Sequence, residues 1–299
     1  MIRPAGFRIL LLVAGSATPA VGAAQQNLRS GRVVTSDPVV RVFSPTGSIR
    51  ITAWPRDSVA VRGRVDSTAG RLVLVGSASA LKLGIEPPVG RTPEGNADLD
   101  IQVPMLARVW VKSSASEIEV TAGGGSVEVA GGSGRVRIAG RAASVNVETL
   151  DGNVELALES ATGTARTASG TIVVRGVIRE LDASTVSGPL LVGMEGAIAR
   201  ARLETVSGEI AFKGDLEREG RLAAETHGGD VELRLPVRLA AAFHLVSYGG
   251  GVVNELAPPT SLRPGPEKGE WTFQTGDGRA TVDVRTFKGR VVLKVRGER

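Results

Sequence analysis

Cysteine is absent from the 299 residues. That excludes disulfide staples, which export would permit. It also excludes a lipid anchor attached through a cysteine at a leader-cleavage site. Histidine occurs only as His227 and His244. A catalytic zinc site usually takes three protein ligands, so the chain is short of donors for one. Aromatic residues make up 3%, which argues against a bulky globular core. No apolar run approaches the ~20 residues needed to span a bilayer as a helix. There is no block of Lys and Arg either. The net charge of +5 is spread through the chain, which excludes the footprint of a nucleic-acid binder and reads as solubility.

What is present begins with a leader. Arg3 and Arg8 form a basic stretch ahead of a short apolar run at residues 9–14, and Val21, Gly22 and Ala23 are small residues before Ala24. This is the pattern of a secretory signal peptide over residues 1–23. Residues 24–36 read as a polar leader. The remainder, 37–299, reads as a single domain with two Pro- and Gly-rich excursions, at 54–97 and 257–273.

The words TVSG occur at 185–188 and again at 205–208. Aligned on their glycine they belong to a column: Ser116, Gly134, Gly152, Gly170, Gly188, Gly208, Gly229 and Gly250, spaced by 18, 18, 18, 18, 20, 21 and 21 residues. Gly289 continues it after an insertion, and Gly47 opens it. Two and four residues beyond each glycine sit apolar pairs such as Val154/Leu156, Ile172/Val174 and Ile210/Phe212. Period-two alternation marks a strand with one buried face. Three residues before the glycine runs a hydroxyl column: Thr149, Thr167, Thr185, Thr205 and Thr226, then Ser247 and Thr286.

These periods predict an all-β fold, a single-stranded β-helix or β-solenoid of 18–21 residues per coil. Each coil carries two short strands and one tight corner. A lone coil cannot bury its apolar face, so neighbours must stack. Gly134, Gly152, Gly170, Gly188, Gly208, Gly229, Gly250 and Gly289 are expected as structural corners with positive φ. Thr149, Thr167, Thr185, Thr205 and Thr226 are expected as a structural ladder. The outward columns examined, Glu119/Arg137/Glu155, Glu117/Arg135 and Glu148/Arg166, alternate in sign. Residues 54–97 and 257–273 are expected to cover the ends or flanks.

Other stretches share a family pattern: GSIRITAWPRDSVAV at 47–61, DLDIQVPMLARVWVKSSASEIEV at 98–120, the TVSG repeats and TVDVRTFKGRVVLKV at 281–295. Over residues 36–296 the chain resembles the family of bacterial "putative adhesin" β-solenoid domains, domain of unknown function family 4097. The resemblance implies a surface or envelope role. It implies no catalytic residue.

Candidate chemical sites read as structure. Ser187 and Ser207 lack the G-x-S-x-G turn of a hydrolase elbow. Their column also holds Ser133, Asp151, Ser169 and Gly228, and a nucleophile is not interchangeable with Asp or Gly. His227 and His244 read as solvated surface residues. The pairs Asp98/Asp100, Glu117/Glu119 and Glu204/Glu209 read as solvated strand faces without an oxygen-rich calcium loop. Trp54, Trp110, Trp271, Tyr248 and Phe273 fit a sugar-stacking surface or the capping of the ends. The GGG runs at 123–125 and 249–251 read as corners, since no Lys-Ser/Thr follows.

No catalytic, metal or cofactor residue is assigned. The expected function is an exported, non-enzymatic scaffold, adhesin-like or structural in the envelope, with an unknown protein or glycan ligand. A polysaccharide-active lyase or hydrolase is the alternative, and an envelope-stress regulatory partner a weaker one. The expected location is the periplasm, cell surface or extracellular space.

Overall fold

The computed structural model describes residues 25–86, 95–256 and 262–297. The signal peptide expected over residues 1–23 falls outside the described residues. The first part of the chain holds β1 (Gln25–Val33), β2 (Val39–Trp54), β3 (Ser58–Asp66), β4 (Arg71–Gly76), β5 (Ala80–Glu86) and β6 (Ala97–Pro104). The middle holds β7 (Arg108–Gly123), β8 (Ser126–Ser133), β9 (Val136–Asp151), β10 (Val154–Thr167), β11 (Ile172–Thr185), β12 (Leu190–Thr205) and β13 (Ile210–Thr226). The last part holds β14 (Val231–Leu235), β15 (Ala241–Ser247), β16 (Val252–Asn254), β17 (Arg263–Pro264), β18 (Glu270–Gln274), β19 (Ala280–Thr286) and β20 (Val291–Val295). Among the described residues no helix is long and apolar enough to cross a membrane.

The fold is an all-β solenoid. Successive strands pair in parallel, one period apart: Val154 faces Ile172 and Thr167 faces Thr185. Each long strand leaves one glycine corner, rounds a bend at mid-length and reaches the next corner. Inward residues alternate along it. Val154, Leu156, Ile172, Val174, Leu190, Val192, Ile210 and Phe212 are all buried. Each such side chain contributes roughly 1.5–3 kcal/mol, so stacking itself stabilises the coils.

The change of period from 18 to 20 and 21 falls at the bend. Between β11 and β12 the register shifts between Gly176 and Glu180. Between β12 and β13 it shifts between Gly193 and Ala197 and again between Ile198 and Arg200. The corner side stays in step, with Thr185, Thr205 and Thr226 in register. Added residues collect at the bend, away from the threonine–glycine corner.

The corner lock is a hydroxyl relay. Thr205 Oγ1 accepts from the Gly208 N–H at 3.1 Å and donates to the Gly188 carbonyl one coil below at 3.5 Å. Thr167, Thr185, Thr226 and Thr286 repeat both halves of the relay. The hydroxyls are buried, so these bonds satisfy groups that water does not reach. At the coil that lacks the motif, Ser113 Oγ bonds Ser116 Oγ at 2.6 Å instead.

The expected positive φ holds at Gly134 (103°) but at none of the other seven corner glycines. The reason for glycine is close approach. A Cβ on Gly188 would lie 1.9 Å from the Gly170 carbonyl oxygen, and one on Gly208 would lie 1.9 Å from that of Gly188. Stacked corners touch backbone to backbone, and no side chain fits between them.

The ends depart from sequence order. Glycine contacts run from Gly229 to Gly289 and then to Gly250. β19 pairs with β13 on one side and β15 on the other, and β20 lies between β14 and β16. The last coil of the chain is therefore inserted beneath the one that precedes it in sequence. The first end does the same: β2 lies between β7 and the pair β5/β6.

Beyond each outer coil the pairing turns antiparallel. β4 pairs with β5, and β3 with β6. β18 pairs with β15, and β17 with β18. Strands of the excursions 54–97 and 257–273 thus lie on the outer coils at both ends. Residues 25–33, within the expected polar leader, form β1 and pair with β3 from Gln25–Asp66 to Val33–Ser58. Alternation with polar residues hid a strand whose order comes from its partner.

Candidate functional site

The residue after each ladder threonine points outward. In spatial order this column is Leu150, Ala168, Val186, Val206, His227, Phe287 and Tyr248. Its backbone continues the stack: Val206 N–H donates to the Val186 carbonyl, His227 N–H to Val206, and Lys288 N–H to His227. Leu150, Val186, Val206, Phe287 and Tyr248 are each 49–69% exposed. Single exposed apolar residues are ordinary, whereas a contiguous row on consecutive rungs marks an interaction surface. At ~4.8 Å per rung the row is roughly 29 Å long.

The part of the row from Val186 to Tyr248 forms one rim of a groove of about 1140 Å³. The floor carries Arg202, Glu204, Glu225 and Arg285, and Pro266, Glu267 and Glu270 line the far wall. Arg202 and Glu204 pair within one strand. Glu267 and Glu270 from the wall make carboxylates the more numerous charges of the lining.

His244 ties the wall to the coils. Its Nε2 lies 2.8 Å from a Glu270 oxygen and its Nδ1 lies 3.4 Å from Asp283. It is half-buried rather than fully solvated, because β18 packs beside β15 and brings Glu270 over it. The Glu270 carboxyl is held below the usual carboxylate range, first by the bond with His244 and then by the Glu267 N–H. The Tyr248 hydroxyl donates to Glu267 at 3.3 Å, and that neighbour raises its pKa.

His227 is exposed and stacks on Phe287, with centroids 5.0 Å apart and planes within 6°. Tyr248 meets Phe287 tilted at 51°. The stacked rings cover each other's faces, leaving mainly edges for a ligand.

Phe273 is buried and stacks on Phe243 at 4.3 Å. The Trp54 indole donates to the Ser58 carbonyl at 2.7 Å. Trp271 is partly buried against the core. These aromatics do not converge on one surface.

The serines sit beside the row. Ser187 Oγ donates to the Ala168 carbonyl at 3.4 Å and Ser207 Oγ to the Val186 carbonyl at 3.4 Å. The carboxylate pairs lie in charge ladders. Ser48 Oγ bonds Asp98 at 2.7 Å, Arg50 holds Glu119 at 3.0 Å, and Arg137 pairs with Glu155 at 3.4 Å. A second hollow, of about 600 Å³, lies over these ladders. Within it Arg50 and Glu119 form an ion pair, and Arg29 lies opposite Arg62. Among the described residues no three His, Asp or Glu side chains converge as a metal cage.

A family model described as Toastrack DUF4097 matches residues 93–294. The chain belongs to this family. Two solved structures align with it at low identity. One is described as a "putative adhesin" from Bacteroides fragilis NCTC 9343, 12% identical, covering 91% of this chain and 98% of that one, with a TM-score of 0.47. The other is described as a "putative cell adhesion protein" from Clostridium sporogenes ATCC 15579, 9% identical, covering 91% and 100%, with a TM-score of 0.25. No functionally curated protein matches the chain. Within the matched region of this Toastrack protein the full corner relay runs from Thr167 through Thr185, Thr205 and Thr226 to Thr286. The exposed row is the feature that sequence reasoning passed over. Its signal was present, since a turn position flanked by Thr and Gly is apolar at Leu150, Val186 and Val206.

Proposed function

We propose that this Toastrack protein is an exported, non-enzymatic scaffold of the cell envelope that binds a surface protein or glycan along the corner row and its groove. The observation that carries the reading is the exposed column Leu150, Ala168, Val186, Val206, His227, Phe287 and Tyr248, apolar but for His227, beside a charged floor. Folding does not ask for apolar side chains there, because the turn is locked by the threonine and glycine on either side. The groove offers shape and charge but no activated nucleophile. The ring nitrogens of His244 lie against Glu270 and Asp283, while Ser187 and Ser207 bond backbone carbonyls, so no serine–histidine pair forms. Those serines share a column with Asp151 and Gly228. The leader pattern at residues 1–23 supports export.

Fractionation of cells carrying the full chain tests the location, and recovery from the cytoplasm alone overturns it. Binding of the mature chain to envelope preparations tests the site. Val206→Asp with Phe287→Asp is expected to weaken that binding at an unchanged melting temperature, and undiminished binding refutes the row as the contact surface. Release of product from any polysaccharide by the purified chain overturns the non-enzymatic reading.

A further inference from the structure

One outward column of the post-corner face carries cations on successive strands. Five residues past the corner glycine lie Arg175, Gly193, Lys213, Arg234 and Lys294. Pairing sets them in a single row: Arg175 opposite Gly193, Gly193 opposite Lys213, Lys213 opposite Arg234, and Arg234 opposite Lys294. Like charges on neighbouring strands destabilise a sheet, so the row works against folding. Local rules broken without compensation tend to mark function.

The compensation is partial. Glu232 accepts from Arg234 at 2.6 Å and from Lys294 at 2.8 Å. Its carboxyl is held below the usual range, first by the Lys294 bond. Among the described residues Arg175 and Lys213 have no ion-pair partner. Glu195 is exposed two residues beyond Gly193, where the register shifts at the bend. Cations still outnumber carboxylates on this patch.

Gly193 separates the two unpaired cations. Unlike the corner glycines, it is needed neither for backbone nor for packing. It is not among the positive-φ residues, and a Cβ built on it would meet nothing within 4 Å. Its effect is an open slot in a shallow hollow of about 240 Å³. Arg175 and Lys213 stand two rungs apart, roughly 10 Å, on either side of that slot. Beside the row runs a second one of partly exposed aliphatics, with Val173 opposite Leu191 and Leu191 opposite Ala211.

We propose that this face binds a linear acidic polysaccharide, with one uronate carboxylate seated over Gly193 between Arg175 and Lys213. A uronate ring carries one carboxylate and an apolar C–H face, and the two rows present a cation line next to an aliphatic line. The row runs along the solenoid axis for roughly 19 Å, so several sugar units lie on it at once. Nucleic acid fits less well. Its single-strand binders offer aromatic faces for base stacking, and the one aromatic lining this hollow, Phe212, is buried in the core. The site is on the opposite side of the corner from the groove above, and the two readings stand or fall separately.

The test uses the mature chain and polygalacturonate as probe, measured by affinity electrophoresis and calorimetry. Retardation is expected with polygalacturonate and not with neutral dextran, and it should fade as salt rises. Gly193→Glu should weaken binding by about tenfold or more through like-charge repulsion, at an unchanged melting temperature because the slot is open. Gly193→Ala should bind as the parent does. Arg175→Gln with Lys213→Gln supplies the same readout should Gly193→Glu fold poorly. Equal binding by a folded Gly193→Glu or by that double variant overturns the site, as does equal binding of dextran. Tighter binding of single-stranded DNA than of polygalacturonate overturns the ligand class. Envelope binding through the corner row is unaffected by any of these outcomes.

Discussion

The middle of the solenoid and its two ends are built on different logic. From β9 to β13 each coil lies on the one before it in sequence. Contacts there are local repeats of one design, and an error in one coil need not spread. At the ends the chain doubles back. β19 and β20 slot between earlier coils, β2 lies inside β5 and β6, and antiparallel strands close both outer faces. An outermost coil of a parallel stack exposes a row of unpaired backbone groups, a template for aggregation. Antiparallel strands cover part of it, and among the described residues the remaining edges are the short strands β4, β16 and β17 and the polar strand β1. Burying the chain's final coil one layer in also gives it a partner on each side. A repeat thus propagates by local rules and is ended by non-local ones.

The comparison can be broken most sharply at a corner. Gly188→Val places a Cβ 1.9 Å from the Gly170 carbonyl oxygen, and the rigid backbone on both sides cannot yield. A loss of about 3 kcal/mol or more is expected. Chemical denaturation measures it, and a midpoint equal to that of the parent would refute the close-approach account.

Next is the inserted coil. Leu293 is fully buried although it lies near the chain's end. Leu293→Ala should cost about 2–5 kcal/mol, as much as Leu156→Ala in the middle. Amide exchange over 282–293 should be as slow as over 172–185. Rapid exchange there, as in a frayed terminus, would contradict the insertion.

The spine should respond more mildly. Thr205→Val removes the acceptor for the Gly208 N–H and the donor to the Gly188 carbonyl. Two buried backbone groups lose partners, for about 1–3 kcal/mol. Equal stability of Thr205→Val and Thr205→Ser would show that the hydroxyl is idle.

Acid should separate an end from the middle. The folded Glu270 pKa is depressed, chiefly by His244. Its contribution is present above the ordinary carboxylate pKa of ~4.3 and is lost as pH falls through the lower folded value. β18 should therefore exchange faster in acid while β11 stays protected. Glu270→Gln should remove that step, and a step that persists in the variant assigns it elsewhere. The smallest effect belongs to Ser187→Ala, within about 0.5 kcal/mol, because Ser187 is exposed and makes one long bond to the Ala168 carbonyl.

Much of this was legible without coordinates. The period, the alternation and the Thr and Gly columns are statements about nearest neighbours, and nearest neighbours in sequence are one rung apart in space through the middle. The corner row was legible in principle, at Leu150, Val186 and Val206. Phe287 joined it only through the inserted coil, since its sequence places it after Tyr248. The cation row was legible in the same way, five residues past the corner glycine at Arg175, Lys213 and Arg234. Lys294 joined it only through the inserted coil. The expectation of positive φ failed because φ is a property of one residue, whereas the crowding at Gly188 comes from another coil.

By itself, then, the sequence determined the repeating unit: which residues face in, where the chain turns, and that coils must stack because none buries its own apolar face. Tertiary structure decided the order of the coils at both ends, the strand made from residues 25–33 and the rows along which charge and apolar surface line up. Those depend on pairing between segments far apart in the chain, such as Arg234 with Lys294 and Thr226 with Thr286. Periodicity carries no record of such partners, because every coil offers its neighbours the same edge.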